Sequence, residues 1–93
     1  MNIDERFIVK QIVGRALDKG YLLTVFDGEE FPIRCSSDPE AVMEHLGHCD
    51  EEWLQVANAD RKRIGMIFFV YGNDPDEVVC DYTDKAEIEE IVG

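Results

Sequence analysis

The pattern of hydrophobic and polar positions predicts two helices in the first half of the chain. In residues 4–19, apolar side chains recur every three or four positions and charged side chains occupy the other face. Asp4 is placed to cap this helix and Gly20 to end it. The segment SSDPEAVMEHLG predicts a shorter second helix, because Asp38 supplies a cap and the proline after it suits a first turn.

A hairpin is predicted between these two helices. The strand-like segments YLLTVF and EEFPIRC flank the pair Asp27-Gly28, which accepts the positive φ that a tight turn demands. A three-residue loop gives the better pairing of apolar positions across the hairpin. The residues expected to face one another are Leu23, Val25, Phe31 and Ile33.

The second half of the chain predicts three more strands and a third helix. EWLQVANA and RIGMIFFVYG have the composition of a second hairpin, and EVVCDY that of a fifth strand. A final helix should follow, capped by Thr83 or Asp84.

The longest apolar run, IGMIFFV, predicts a strand that is covered on both faces. Because side chains alternate along a strand, Phe69 and Tyr71 should lie on the face opposite Phe68 and Val70. If no helix covers that second face, a partner or a second copy of the chain must cover it.

These elements predict one α+β domain over residues 1–93. Their order is αββαβββα, with about five mainly antiparallel strands and helices packed on the sheet. A chain of this length buries a single core.

The net charge of the chain disfavours some classes of binding partner. The net charge is −12, and residues 35–60 and 64–84 contain seven and five acidic residues without one Lys or Arg. A field of this sign repels nucleic acid and anionic membranes, and it attracts basic protein surfaces and cations. We therefore expect neither direct nucleic-acid binding nor membrane binding.

The N-terminal sequence and the cysteines indicate a cytoplasmic protein. MNIDERF lacks the features of a signal peptide, and no apolar run is long enough to span a membrane. Cys35, Cys49 and Cys80 cannot all pair within one chain, and we expect them to be free and dispensable.

The sequence offers two candidate metal sites and favours neither. Zinc would use the cluster of His45, His48, Cys49 and Asp50. Gly47, however, ends the helix between the histidines, and the other cysteines, Cys35 and Cys80, lie in predicted strands without a matching spacing. Calcium would use carboxylates in YGNDPDEVVCDYTD, yet the spacing differs from that of a calcium-binding loop between two helices. We expect no cofactor.

The sequence contains no arrangement typical of an enzyme. Cys49 and His48 are adjacent, so their side chains point apart, and no third group orients them. There is no phosphate-binding loop and no Ser-His-Asp arrangement. We expect a non-enzymatic protein.

The acidic surface itself is the favoured functional feature. Carboxylates on a rigid frame can imitate the charges of a nucleic-acid backbone, and aromatic residues among them can anchor a protein interface. The predicted partner-binding residues are Asp74, Asp76, Glu77, Asp81 and Asp84, a second cluster of Asp50, Glu51 and Glu52, and the anchors Trp53 and Tyr71.

The segments YLLTVFDGEE, DPEAVMEHLG, RIGMIFFVYGNDPDEVV and DYTD resemble those of small acidic bacteriophage and prophage proteins. The resemblance covers most of the chain after the first helix, and its motifs are structural turns. It implies a phage or mobile-element protein acting in a bacterial cytoplasm. In size and charge the chain is also similar, as a class, to anti-CRISPR and anti-restriction inhibitors, some of which are DNA mimics.

Together these observations predict an inhibitor that binds a basic site on a host nucleic-acid-handling protein or complex. One alternative is an accessory or regulatory subunit, including a homodimer, whose acidity serves solubility. Another is a cation-binding module that uses the acidic stretch at residues 74–84.

Overall fold

A computed structural model describes all 93 residues, Met1–Gly93, and confirms the predicted α+β class and the order αββαβββα. A single turn of 3-10 helix, Pro75–Glu77, precedes the last strand. The elements are α1 (Ile3–Asp18), β1 (Leu22–Phe26), β2 (Ile33–Ser36), α2 (Pro39–Glu44), β3 (Glu51–Ala57), β4 (Arg63–Val70), β5 (Val79–Tyr82) and α3 (Ala86–Val92).

The five strands form one sheet in the order β2-β1-β3-β4-β5, and every neighbouring pair is antiparallel. All three helices contribute to the core on one face of this sheet. The strand residues on that face, among them Leu54, Ile67 and Phe69, are fully buried. Burial of this apolar surface is the main force that holds the helices against the sheet.

The opposite face of the sheet has no helix on it, so the prediction that β4 is covered on both faces was wrong. Along β4, Ile67 and Phe69 are buried, whereas Met66, Phe68 and Val70 are partly exposed. The predicted alternation of these side chains is confirmed. An apolar run this long therefore supplies both the core and a solvent-facing apolar surface.

The first hairpin has a longer connection than predicted, six residues from 27 to 32. The Asp27 carboxylate accepts hydrogen bonds from the Glu29 and Glu30 amides at 2.9 and 2.7 Å, and these bonds hold the turn and lower the pKa of Asp27. Val25 pairs with Ile33, whereas the predicted three-residue loop would place it opposite Phe31, which lies outside the strand.

The same hairpin contains a bulge that changes the register of its other end. Cys35 has a φ of 47°, and Leu23 pairs with Ser36. The bulge places Cys35 next to Thr24, whose hydroxyl accepts a hydrogen bond from the Cys35 amide at 2.8 Å.

The caps of two helices also differ from the prediction. α1 is capped by Asn2, whose side chain accepts from the Glu5 amide while the Glu5 carboxylate accepts from the Asn2 amide, so Asp4 is not the cap. α3 has no side-chain cap, because Thr83 instead binds the Met66 amide of β4 at 3.0 Å. The Asp38 cap of α2 is confirmed by its 3.0 Å bond from the Glu40 amide.

Candidate functional site

The antiparallel order gathers three connections at one end of the sheet. Phe26 at the end of β1 pairs with Trp53, and Glu51 at the start of β3 pairs with Val70 at the end of β4. The connections from β1 to β2, from α2 to β3 and from β4 to β5 therefore share this end. They contain seven acidic residues and neither Lys nor Arg, namely Asp27, Glu29, Glu30, Asp50, Asp74, Asp76 and Glu77.

We call these three connections, together with Glu51, the acidic end. All but one of its carboxylate-bearing residues are exposed, and Asp27 is half-buried. The β3–β4 turn, which carries Arg61 and Lys62, lies at the opposite end of the sheet. The charge of the molecule is therefore concentrated at one end, where it can steer a basic partner.

The structure brings together the two acidic clusters that the sequence suggested. Asp74, Asp76 and Glu77 lie exposed at the acidic end with Asp50 and Glu51. Two of the predicted residues lie elsewhere. Both are exposed: Asp81 lies in the edge strand β5, where it pairs with Phe68, and Asp84 follows that strand.

Two predicted contact residues, Glu52 and Tyr71, are buried and are corrected here. Glu52 is 1% exposed and Tyr71 is 9% exposed, because each faces the helix-covered side of the sheet. Glu52 accepts a hydrogen bond from the Gly47 amide at 2.6 Å, and its burial raises its pKa. Neither side chain is placed to contact a protein on the surface of the acidic end.

A row of four aromatic side chains crosses the uncovered face of the sheet. Ring centroids lie 4.6 Å apart for Phe31 and Phe26, 5.6 Å for Phe26 and Trp53, and 4.6 Å for Trp53 and Phe68. The Arg34 guanidinium lies 4.3 Å from the centroid of Phe31 at one end of the row. We call these four residues the aromatic row.

Sequence reasoning identified Trp53 in this row and missed its neighbours. Phe26 and Phe68 pair with Trp53 from the two adjacent strands, and this register was the signal that would have revealed them. The predicted anchors were instead aromatic residues that lie close to acidic residues along the chain.

The row ends in a shallow cleft of about 210 Å³ beside β5. Its walls are mainly apolar, Tyr82 is 40% exposed, and the Asp81 carboxylate lies at its edge. An apolar floor beside a carboxylate suits the aliphatic stem and charged head of a Lys or Arg side chain. The lining residues are Trp53, Met66, Phe68, Asp81, Tyr82 and Thr83.

The candidate metal ligands and thiols do not form a site. His48 is hydrogen-bonded through Nε2 to the Glu44 carbonyl oxygen at 2.6 Å, and no three His, Cys, Asp or Glu side chains converge on a metal position. All three cysteines are free. Cys49 is exposed, but partial desolvation and neighbouring carboxylates, first among them Glu52, raise its pKa, which disfavours the reactive thiolate.

No family model, curated protein or solved structure matches the chain. None of its helices combines the length and the apolar character that crossing a membrane requires. The arrangement of the side chains is therefore what indicates a function.

Proposed function

We propose that the protein is a non-enzymatic inhibitor that occupies a basic site on a nucleic-acid-handling protein or complex. The observation that carries this proposal is the aromatic row on an uncovered sheet face that borders the acidic end. An exposed apolar surface of this kind is typical of a protein interface, and aromatic residues dominate the binding energy of such interfaces.

The charge at the acidic end favours a basic partner over an unrelated apolar one. Its carboxylates would increase the rate of encounter with a basic groove, and the aromatic row would slow dissociation once contact is made. A groove that normally holds nucleic acid offers the required charge, and binding there would exclude DNA or RNA.

For the biological setting we propose a phage or mobile-element protein in a bacterial cytoplasm. This part of the proposal rests on the resemblance of the DGEE and GNDPDEVV turn segments to small acidic phage proteins. Within that setting, anti-CRISPR or anti-restriction inhibition is the function that the acidic end and the aromatic row support.

A homodimer that buries the aromatic row is the second candidate. It is favoured by one observation, the basic β3–β4 turn at the end opposite to the acidic end. A second copy stacked face to face with its strands reversed would place that turn against the acidic end.

The test compares two pairs of exposed apolar residues in different parts of the molecule. Phe31 in the aromatic row and Tyr82 in the cleft at its end are 36% and 40% exposed, and Ile3 and Phe7 on α1 are 82% and 63% exposed. The wild-type protein is used to capture its partner from a bacterial lysate, and each double Ser variant is then titrated against the purified partner with and without DNA.

We expect the Phe31→Ser/Tyr82→Ser variant to bind at least about tenfold more weakly, which corresponds to about 1.4 kcal/mol. The Ile3→Ser/Phe7→Ser variant should bind like the wild type, and DNA should compete with the wild type. A loss of partner binding confined to the Ile3→Ser/Phe7→Ser variant would contradict the proposal. Sedimentation of the wild type as a dimer that the Phe31→Ser/Tyr82→Ser variant converts to a monomer would support the homodimer instead.

A further inference from the structure

The aromatic row continues into a carboxylate on the fifth strand. The register of the sheet aligns four directly paired positions on β1, β3, β4 and β5, namely Phe26, Trp53, Phe68 and Asp81. Side chains directly opposite one another in antiparallel strands lie on the same face of the sheet and contact each other. The Asp81 side chain therefore lies beside the Phe68 ring on the uncovered face.

Trp53, Phe68 and Asp81 also line one cleft, the cleft of about 210 Å³ beside β5. The Trp53 and Phe68 rings are stacked with their planes 24° apart, so they form a single apolar floor. Asp81 is exposed at the edge of this floor. The cleft thus combines a flat aromatic surface with a carboxylate.

The Asp81 carboxylate has no positively charged partner within the chain. The ion pair of the molecule joins Lys19 to Glu90. The Tyr82 amide donates to Asp81 Oδ1 at 2.8 Å, which orients the carboxylate and leaves Oδ2 free to accept. A cation that enters the cleft therefore meets an oriented acceptor.

The opposite end of the aromatic row already holds a cation. The Arg34 guanidinium lies 4.3 Å from the centroid of Phe31. A guanidinium is planar and weakly hydrated, so it can lie on an aromatic face while its N–H groups point outward along its edge. The Asp81 end of the row has an aromatic floor as well, and it adds a carboxylate beside that floor.

We propose that this cleft receives an arginine side chain of the partner protein. The guanidinium plane stacks on the Phe68 and Trp53 rings, and an N–H group at its edge donates to Asp81 Oδ2. A lysine ammonium has no plane to stack, and it loses more of its hydration in such a cleft. The cleft therefore selects arginine over lysine, which the general attraction of the acidic end does not.

The source of the arginine rests on the proposed function, whereas the guanidinium chemistry of the cleft does not. A groove that holds nucleic acid supplies arginine, because the guanidinium fits phosphate. A second copy of the chain is a poorer source. Arg34 lies on the β2 edge and Asp81 on the β5 edge, so a two-fold axis parallel to the strands is needed to join them, and it would bring the two acidic ends together.

The first experiment uses a small probe and needs no partner. Nα-acetyl-arginine N-methylamide is titrated into the protein at constant ionic strength, and NMR follows the indole N–H of Trp53, the single tryptophan. We expect a saturable shift with a dissociation constant on the order of 10 mM, and upfield shifts of the probe's δ protons. The corresponding lysine and citrulline compounds should each bind at least about fivefold more weakly.

Two variants locate the site, and each has a matched control. Asp81→Asn keeps an acceptor for the Tyr82 amide and removes the charge, whereas Asp84→Asn removes the same charge outside the cleft. Phe68→Leu removes the ring beside Asp81, whereas Phe31→Leu removes the ring at the far end of the row. The two cleft variants should each weaken probe binding at least about fivefold, and the two controls should bind like the wild type.

Three results of this experiment would overturn the cleft. Equal binding of the arginine, lysine and citrulline compounds would show that the guanidinium is not recognised. Unchanged probe binding by a folded Asp81→Asn variant would show that the carboxylate takes no part. An equal loss in Asp84→Asn would reduce the effect to overall charge.

The second experiment uses the partner captured with the wild-type protein. Asp81→Asn should weaken partner binding at least about fivefold, and so should the change of one arginine to lysine in the partner's nucleic-acid site. The two changes together should cost no more than either one alone, because they remove the same contact. Unchanged partner binding by Asp81→Asn would overturn the partner as the source, as would a wild-type dimer that Asp81→Asn dissociates.

Failure of the cleft and failure of the proposed function give different results. If the probe does not bind while DNA still competes with the wild type for the partner, the cleft is overturned and the proposed function stands. If the probe binds as expected and DNA does not compete for the partner, the proposed function is overturned and the guanidinium site stands.

Discussion

At the scale of single residues, the buried Tyr71 hydroxyl has an energetic consequence that stability measurements can detect. No neighbouring group meets hydrogen-bond geometry with it, although burial and the nearby Glu52 carboxylate raise its pKa, so it loses its water partners on folding and gains little in return. Tyr71→Phe should therefore leave the free energy of unfolding unchanged or raise it by up to about 1 kcal/mol. Urea unfolding measures this, and a fall of more than about 1 kcal/mol would show that the hydroxyl donates to Glu52 in solution.

Glu52 gives the stability of the protein a dependence on pH whose sign follows from burial. Burial raises the pKa of its carboxyl above the ordinary value of 4.5, so the folded state binds this proton more tightly than the unfolded state does. The stabilisation from this group is fully present below pH 4.5 and is lost as the pH rises through the raised pKa.

The variant Glu52→Gln isolates that contribution. Its side-chain oxygen can still accept from the Gly47 amide, and it carries no charge to bury. We expect the free energy of unfolding of the variant to rise relative to that of the wild type between pH 4 and pH 8. Urea titrations at several pH values measure the difference, and a difference that does not change with pH would contradict the assignment.

At the scale of the elements, the start of α1 provides a test of the Asn2 cap. Asn2 and Glu5 satisfy each other's amides, so Asn2→Ala leaves an amide at the helix start without a partner. We expect Asn2→Ala to lower the free energy of unfolding by about 1 kcal/mol, as measured by urea titration. Asp4→Ala is the matched control, and it should cost only a few tenths of a kcal/mol through the helix dipole. A larger loss of stability in Asp4→Ala than in Asn2→Ala would indicate that Asp4 is the cap.

The packing of α3 on β4 depends on a glycine. A Cβ atom at Gly65 would lie 2.6 and 2.8 Å from two Ile88 carbons, closer than atoms can approach. Gly65→Ala should cost about 1 to 3 kcal/mol by overpacking. Gly14→Ala is the control, since a Cβ there meets nothing within 4 Å and alanine favours a helix by about 1 kcal/mol.

A double variant distinguishes this contact from a loss of strand structure. Ile88→Ala removes the two carbons closest to the new Cβ and leaves only the Thr83 Cβ, at 3.0 Å, so it should cost less beside Gly65→Ala than it does alone. Thermal unfolding of the four proteins measures the coupling. Strictly additive losses would mean that the two side chains do not touch.

Signals that are local in the sequence predicted the elements well, and tertiary contacts decided what they missed. The Asp38 cap and the second hairpin were readable because neighbouring residues determine them. The start of α3 was not readable, because Thr83 binds a strand that is distant in sequence. The uncovered face of β4 could not be predicted either, since an apolar run has the same sequence pattern whether a helix or solvent covers its second face.

At the scale of the whole molecule, the acidic windows predicted part of the candidate site. Carboxylates far apart in the sequence meet at one end because three connections of an antiparallel sheet end there. Composition could not show that Glu52 turns inward while its neighbour Glu51 stays exposed, since that depends on the phase of β3. The aromatic row requires the register of four segments at once, which no single segment reveals.

A charge reversal at the acidic end distinguishes nucleic-acid mimicry from a role of the carboxylates in solubility alone. Reversing Asp74, Asp76 and Glu77 to Lys changes three exposed positions of the β4–β5 connection. If these carboxylates imitate phosphates, this variant should no longer inhibit DNA binding by the partner, because the matching charges now repel. Wild-type affinity should fall steeply with salt, since the Debye length is only about 8 Å at physiological ionic strength.

The matched control reverses Asp18, Asp60 and Glu89, which are also exposed but lie away from the acidic end. Both sets change the net charge by the same amount, so a pure effect of solubility or of overall charge would weaken both alike. Circular dichroism confirms that each variant folds, and inhibition is measured as the displacement of labelled DNA from the partner. Equal inhibition by the two variants would refute mimicry, as would a ternary complex in which the protein and DNA bind the partner together.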